Sequence, residues 1–131
     1  MQVRSENPLV LVVEDNAAVA TMLAQVLHEE AYAVRVVDTA LGVLGEVTRL
    51  RPHAIVLDLG LPYRSGAALL ADLKADPGTA PIPVIVVSGL LQALSPERAS
   101  LASALIPKPF KVETLLAALH AAGAAELPAA G

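Results

Sequence analysis

The chain has 131 residues, 55% hydrophobic and 17% charged, with a formal net charge of −4 and no cysteine. That length suits one domain with a real core, and the composition excludes a disordered chain, a disulfide framework and thiolate chemistry. Only Tyr32, Tyr63 and Phe110 are aromatic, which with the negative balance argues against direct nucleic-acid binding by stacking or phosphate contacts. The N-terminal MQVRSENPLVLVVEDN does not read as a signal peptide, because its apolar run is short and ends in acids. No stretch is long and apolar enough to span a bilayer. The expectation is a cytoplasmic domain with no membrane partner.

Along the chain, β-like and helix-like patterns alternate. Leu9–Val13 is an unbroken run of Leu and Val, the pattern of a strand buried on both faces. Asn16 is a candidate N-cap, and Val19, Met22, Leu23, Val26 and Leu27 follow helical spacing over residues 17–30. Ala33–Val37 predicts a second strand. Leu41, Leu44 and Val47 mark a second helix that ends before Pro52. Ala54–Leu57 predicts a third strand, and Gly66, Leu69, Leu70 and Leu73 a third helix closed by Asp76-Pro77-Gly78. Residues 83–87 predict a fourth strand. Ser95-Pro96-Glu97 has the composition of a helix start, with Pro at the first helical position and an acid in the first turn. Residues 105–106 form a short fifth strand, and Val112, Leu115, Leu116 and Leu119 mark a fifth helix. The core runs from about residue 9 to 122, and residues 124–131 are expected to form a frayed tail.

Five β-α units in one domain predict an α/β fold with a parallel sheet and helices on both faces. Ligands of such sheets bind at the carboxyl ends of the strands. Those ends carry Glu14 and Asp15, Asp38, Asp58, Ser88, and Lys108 beside Pro109. Crowded carboxylates repel one another unless a cation joins them. An all-oxygen set suits a hard cation, Mg²⁺ foremost. A metal and an ammonium flanking one carboxylate suit a phosphoryl group, and a carboxylate can itself be the nucleophile.

At this point VVEDN, VLDLGLPYRSG, VVSG and PKPF together resemble the receiver domain of two-component response regulators. The resemblance covers about residues 9–122, with acid pair, acceptor Asp, Ser and Lys-Pro in the family's order. Pro62 and Gly66 fall where the family has its loop proline and glycine. The resemblance implies a doubly wound, flavodoxin-like (βα)5 fold with the sheet order 2-1-3-4-5. It implies that Asp58 is the phosphoacceptor, and that Asp15, Asp58 and the backbone carbonyl of Gly60 ligate Mg²⁺ directly, with Glu14 acting through water. Ser88 and Lys108 would hold the phosphoryl oxygens, and Ser88 with its loop would move as the switch. The implied donor is a histidine kinase or phosphotransfer protein. The domain would not be an enzyme, beyond slow self-catalysed transfer to and loss from Asp58. The alternative is a pseudo-receiver that binds partners without phosphorylation.

Bland readings compete at several positions. Glu14 and Asp15 singly would pass for helix-entry acids, and Asp58 for a turn former. Asp38 is left outside the site on that ground. His28, His53 and His120 show no metal spacing and read as surface or boundary residues. The departures from the family matter more. Leu105 stands at the aromatic switch position. The stretch between Ser88 and Lys108 is short, which predicts a short or irregular fourth helix. Leu90, Leu91 and Leu94, with Pro107, Pro109 and Phe110, are either core or an apolar patch on the face of the fourth helix, fifth strand and fifth helix, open to a homodimer or an effector. Gly60 and Leu90 stand where the family's side chains influence attack of water on the phosphoryl group. Neither can orient a water, so slow dephosphorylation is expected.

Overall fold

In the computed structural model, which describes residues 7–123, five strands and five helices alternate among the described residues. They are β1 (Leu9–Val13), α1 (Ala17–Glu29), β2 (Ala33–Val37), α2 (Val43–Leu50), β3 (Ala54–Leu57), α3 (Gly66–Ala75), β4 (Val84–Ser88), α4 (Pro96–Ala99), β5 (Ala104–Pro107) and α5 (Val112–Ala121), with a 3₁₀ turn at Leu91–Ala93 before α4. All ladders are parallel, in the order β2-β1-β3-β4-β5. The fold is therefore the doubly wound one expected. The expected frayed tail, residues 124–131, lies outside the described residues.

The unbroken apolar runs have a direct cause. β1, β3 and β4 lie inside the sheet and are covered on both faces, so alternate residues feed two cores. Leu11, Val13, Ile55, Leu57, Val84 and Val86 meet Val43 and Val47 of α2 and Leu69, Leu70 and Leu73 of α3. Val10, Val12, Val56, Ile85 and Val87 meet Leu23 and Leu27 of α1 and Leu115 and Leu119 of α5. Each fully buried Leu or Val contributes about 1.5–3 kcal/mol relative to exposure. The edge strands β2 and β5 are covered far less.

The boundaries shift for local reasons. α1 ends in a Schellman arrangement: Ala31 sits at φ +70°, its N–H bonds to the His28 carbonyl, and the Tyr32 N–H bonds to the Leu27 carbonyl. β4 starts after Pro83, which has no N–H for the ladder, and extends through Ser88 because that residue pairs with Pro107. α2 differs most from expectation. Gly42, left-handed at φ +78°, starts it late, so Val43 and Val47 are its buried pair while Leu41 and Leu44 are exposed.

The segment between β4 and β5 is short and irregular, as expected: a 3₁₀ turn, then a four-residue helix whose N-cap Ser95 accepts from the Arg98 N–H at 3.2 Å. The two readings of its leucines divide between residues. Leu94 is buried in the core and Leu91 packs against it, whereas Leu90 is 49% exposed. Leu105 on β5 is 40% exposed, with Pro107 and Pro109 also exposed and Phe110 packed on the second core.

Candidate functional site

The register of the sheet builds the rim. Val13 pairs with both Val37 and Leu57, so the next residues, Glu14, Asp38 and Asp58, emerge at one level. The ladder continues past the strands: Glu14 N–H donates to the Val37 carbonyl at 3.0 Å, Asp58 N–H to the Val13 carbonyl at 3.0 Å, and Lys108 N–H to the Ser88 carbonyl at 3.1 Å. The site residues are thus fixed through their own backbones. The Lys108–Pro109 peptide is cis.

One oxygen from each of Glu14, Asp15 and Asp58 lies within 4.8 Å of the other two. Lys108 reaches across the sheet to this cluster, with Nζ 2.9 Å from Glu14 Oε1 and 3.4 Å from Asp58 Oδ2. Glu14 is only 3% exposed. Its second oxygen accepts from the Asn16 N–H at 3.2 Å, while the Asn16 side chain caps α1 by accepting from the Val19 N–H at 3.0 Å. Asp15 is exposed and faces solvent. Asp58 is 9% exposed, with Oδ1 accepting from the Gly60 N–H at 3.4 Å. Ser88 is buried, and its Oγ accepts from the Leu90 N–H at 3.0 Å.

Electrostatics follow from that packing. Burial pushes the Glu14 carboxyl above its usual range, and the nearby Asp58 charge adds to this, against the hydrogen bonds from Lys108 and Asn16 that favour the carboxylate. Burial alone would lower Lys108, but the hydrogen bond to Glu14 and the charges of Asp58 and Glu14 outweigh it, and the ammonium is held above its ordinary value. Lys108 is therefore a fixed positive charge at neutral pH. Three carboxylates against one ammonium leave the cluster short of positive charge.

Glu14, Asp15, Asp58, Gly60, Ser88 and Lys108 all stand at the strand ends or just past them, whereas Leu105 sits on the edge strand β5. Asp38 is not one of the three converging acids but lines a groove together with Glu14, Asp15, Ala17 and Ala20. Three contacts went beyond the sequence reading, which had marked Gly66 only by its resemblance to the family's loop glycine. Glu14 is an ion-pair partner of Lys108 as well as an acid of the pair. His53 Nδ1 accepts from the Leu9 N–H at 3.0 Å and so fixes the start of β1. Gly66 is sterically required: a Cβ there would meet the Asp58 carbonyl oxygen at 2.2 Å and Leu59 Cα at 2.6 Å. No local pattern signals these, because each depends on two elements meeting in space.

Residues 10–120 match the family described as the response regulator receiver domain. The chain belongs to that family. It is 33% identical over 114 residues to the DNA-binding response regulator MtrA of Mycobacterium tuberculosis, which covers 86% of this chain and 49% of that protein. The chain thus spans about half the length of the curated relatives it matches first. Among solved structures it resembles a response regulator receiver domain (CheY-like) from Methylobacillus flagellatus, with a TM-score of 0.80 and 26% identity over 89% of this chain and 99% of that one. It also resembles the BeF3-activated N-terminal receiver domain of Klebsiella pneumoniae RstA, with a TM-score of 0.74 and 25% identity over 86% of this chain and 96% of that one. Family membership places the receiver domain in two-component signalling.

Proposed function

We propose that this receiver domain accepts a phosphoryl group on Asp58 and changes its protein contacts in response. The observation that carries the reading is the position of Asp58: a nearly buried carboxylate with Lys108 Nζ at 3.4 Å and two further acids within 4.8 Å. Asp58 is the nucleophile. The P–N bond of a phosphohistidine donor breaks, a P–O bond to Asp58 forms, and the electron pair stays on the donor's imidazole nitrogen. Lys108, kept protonated by Glu14, stands ready to neutralise a phosphoryl oxygen. The Ser88 hydroxyl, at the end of β4, would donate its proton to another.

The all-oxygen donor set fits Mg²⁺. Asp15 and Asp58 would hold it directly, with the Gly60 carbonyl, and Glu14 would act through water. Glu14 supports that division, since both of its oxygens already have partners, whereas Asp15 opens to solvent. Held by these residues, Mg²⁺ would supply positive charge to neutralise the phosphoryl oxygens. The donor is a histidine kinase or phosphotransfer protein. The half-exposed face of Leu90, Leu105 and Pro107 is the proposed contact for an effector or a second copy. The likeness to a receiver solved in a BeF3-activated state agrees with phosphoryl acceptance. The domain is a switch rather than an enzyme acting on other substrates.

Incubation with acetyl phosphate and Mg²⁺ tests this. The expected result is a mass gain of about 80 Da that is absent in Asp58→Asn. A second reading, a pseudo-receiver that binds partners without phosphorylation, draws on Leu105 at the aromatic switch position. No mass gain in the wild-type chain would select it.

A further inference from the structure

Tyr63 is the most exposed of the large apolar side chains, at 83%, and its backbone is held at φ +71°. The Arg64 N–H donates to the Pro62 carbonyl at 2.8 Å, which closes a γ-turn with Tyr63 at its centre. A positive-φ γ-turn is rare and strained for any residue with a Cβ. Glycine or asparagine would suit it better. The ring, left in water, contributes almost nothing to the fold that could offset the strain. Strain of this kind persists where a function outside the fold uses it.

The turn is rigidly mounted. Gly66 N–H donates to the Leu59 carbonyl at 2.8 Å, closing the loop at its base. Ser65 Oγ caps α3 by accepting from the Ala68 N–H at 3.1 Å, and the Arg64 guanidinium pairs with Asp72 on α3. The loop starts two residues after Asp58, and its far end, Gly66, packs against the Asp58 backbone. Tyr63 is three residues from Gly66, a span of at most about 11 Å. The turn therefore belongs to the loop that leaves β3 directly after Asp58 and returns to pack on its backbone at Gly66.

We propose that Tyr63 is the docking anchor for the protein that delivers a phosphoryl group to Asp58. This rests on the reading of Asp58 as phosphoacceptor. Asp58 is 9% exposed, so a protein donor can bring its phosphorus to the carboxylate only by laying its surface over the strand-end rim, and the loop that carries exposed Tyr63 leaves that rim at the end of β3. An aromatic side chain is the typical energetic centre of a protein interface. Holding its backbone in advance lowers the ordering cost of association. The contact makes and breaks no covalent bond; it sets which donors dock. A small phosphodonor enters the site without touching it.

The experiment compares wild type, Tyr63→Gly and Tyr63→Phe with two kinds of donor in Mg²⁺: acetyl phosphate, and a panel of purified, radiolabelled histidine kinases and phosphotransfer proteins. Tyr63→Gly is expected to take phosphoryl from acetyl phosphate at the wild-type rate. Its transfer rate from the protein donor that serves the wild type best is expected to fall roughly tenfold or more. Tyr63→Phe should stay close to wild type with both donors. Because glycine relieves the backbone, the thermal midpoint of Tyr63→Gly should not fall, which separates lost docking from lost folding. Equal transfer from the protein donor to wild type and Tyr63→Gly overturns the proposal. So does an equal loss with both donors, and so does a wild-type chain that acetyl phosphate labels but no protein in the panel does. A wild-type chain that acetyl phosphate fails to label overturns the phosphoacceptor reading itself.

Discussion

At Gly60 and Leu90, a missing side chain and an apolar one bear on what water would meet at Asp58. A Cβ at Gly60 would lie 3.3 Å from Leu90 Cδ1, so the leucine covers the place where a polar side chain would otherwise stand. Leu90 is tied there by its own N–H, which donates to Ser88 Oγ. Neither residue offers a hydrogen-bonding side chain to position an attacking water. Phosphorylated protein should therefore lose its label over minutes or longer. Leu90→Asn, which adds an amide at the mouth, should speed the loss roughly tenfold by orienting water. Following the label in Mg²⁺ after removal of the donor checks both, and loss within seconds from the wild type would sink the idea. The acid pair separates at the same scale. Glu14 has both oxygens engaged and Asp15 has a solvent-facing carboxylate. Asp15→Asn should weaken Mg²⁺ binding more than Glu14→Gln in a calorimetric titration, and the reverse order would mean that the pair is assigned the wrong way round. Glu14→Gln has a separate consequence, since it removes the carboxylate that holds Lys108 over Asp58.

Between elements, the tightest constraint is where α3 meets β3. Gly66 opens α3 within contact of the Asp58 backbone, and a methyl group there has no space. The obstacle is main chain, so it cannot rotate away. Gly66→Ala should destabilise the fold by about 1–3 kcal/mol or more and should also slow phosphorylation, because relief moves either α3 or the acceptor. Denaturant unfolding together with the acetyl phosphate rate tests this; a variant unchanged in both would show that the contact relaxes freely. Element boundaries also show what the sequence could and could not reveal. The central strands were legible because burial on both faces leaves no polar residue in them short of Ser88 at the end of β4. α2 was misplaced because Leu41 and Leu44 imitate a buried stripe, while Gly42 in a left-handed conformation delays the helix and turns Val43 and Val47 inward. The strained turn at Tyr63 gave no signal, since tyrosine is not a residue that marks a positive φ.

For the molecule as a whole, the rim acids were legible from chain order alone, because a parallel sheet gathers every strand's carboxyl end on one side. The ion pair between Glu14 and Lys108, 94 residues apart, was not, because it needs the crossing from β1 to β5. That concentration of charge leads to the prediction that cations stabilise the fold. The chain carries a net −4, and Glu14, Asp15 and Asp58 crowd at one end with a single ammonium among them. A cation that binds only where these acids converge binds the folded chain and not the unfolded one. Mg²⁺ should then raise the unfolding free energy by about 1.4 kcal/mol at ten times its dissociation constant. The comparison is urea unfolding with and without MgCl₂, with NaCl added to match ionic strength so that screening is equal in both. Asp15→Asn should lose most of the gain, because the acceptor and Glu14 remain but the solvent-facing ligand is gone. An equal gain in wild type and Asp15→Asn would place the ion elsewhere on the acidic surface, and no gain in either would show that Lys108 already balances the site.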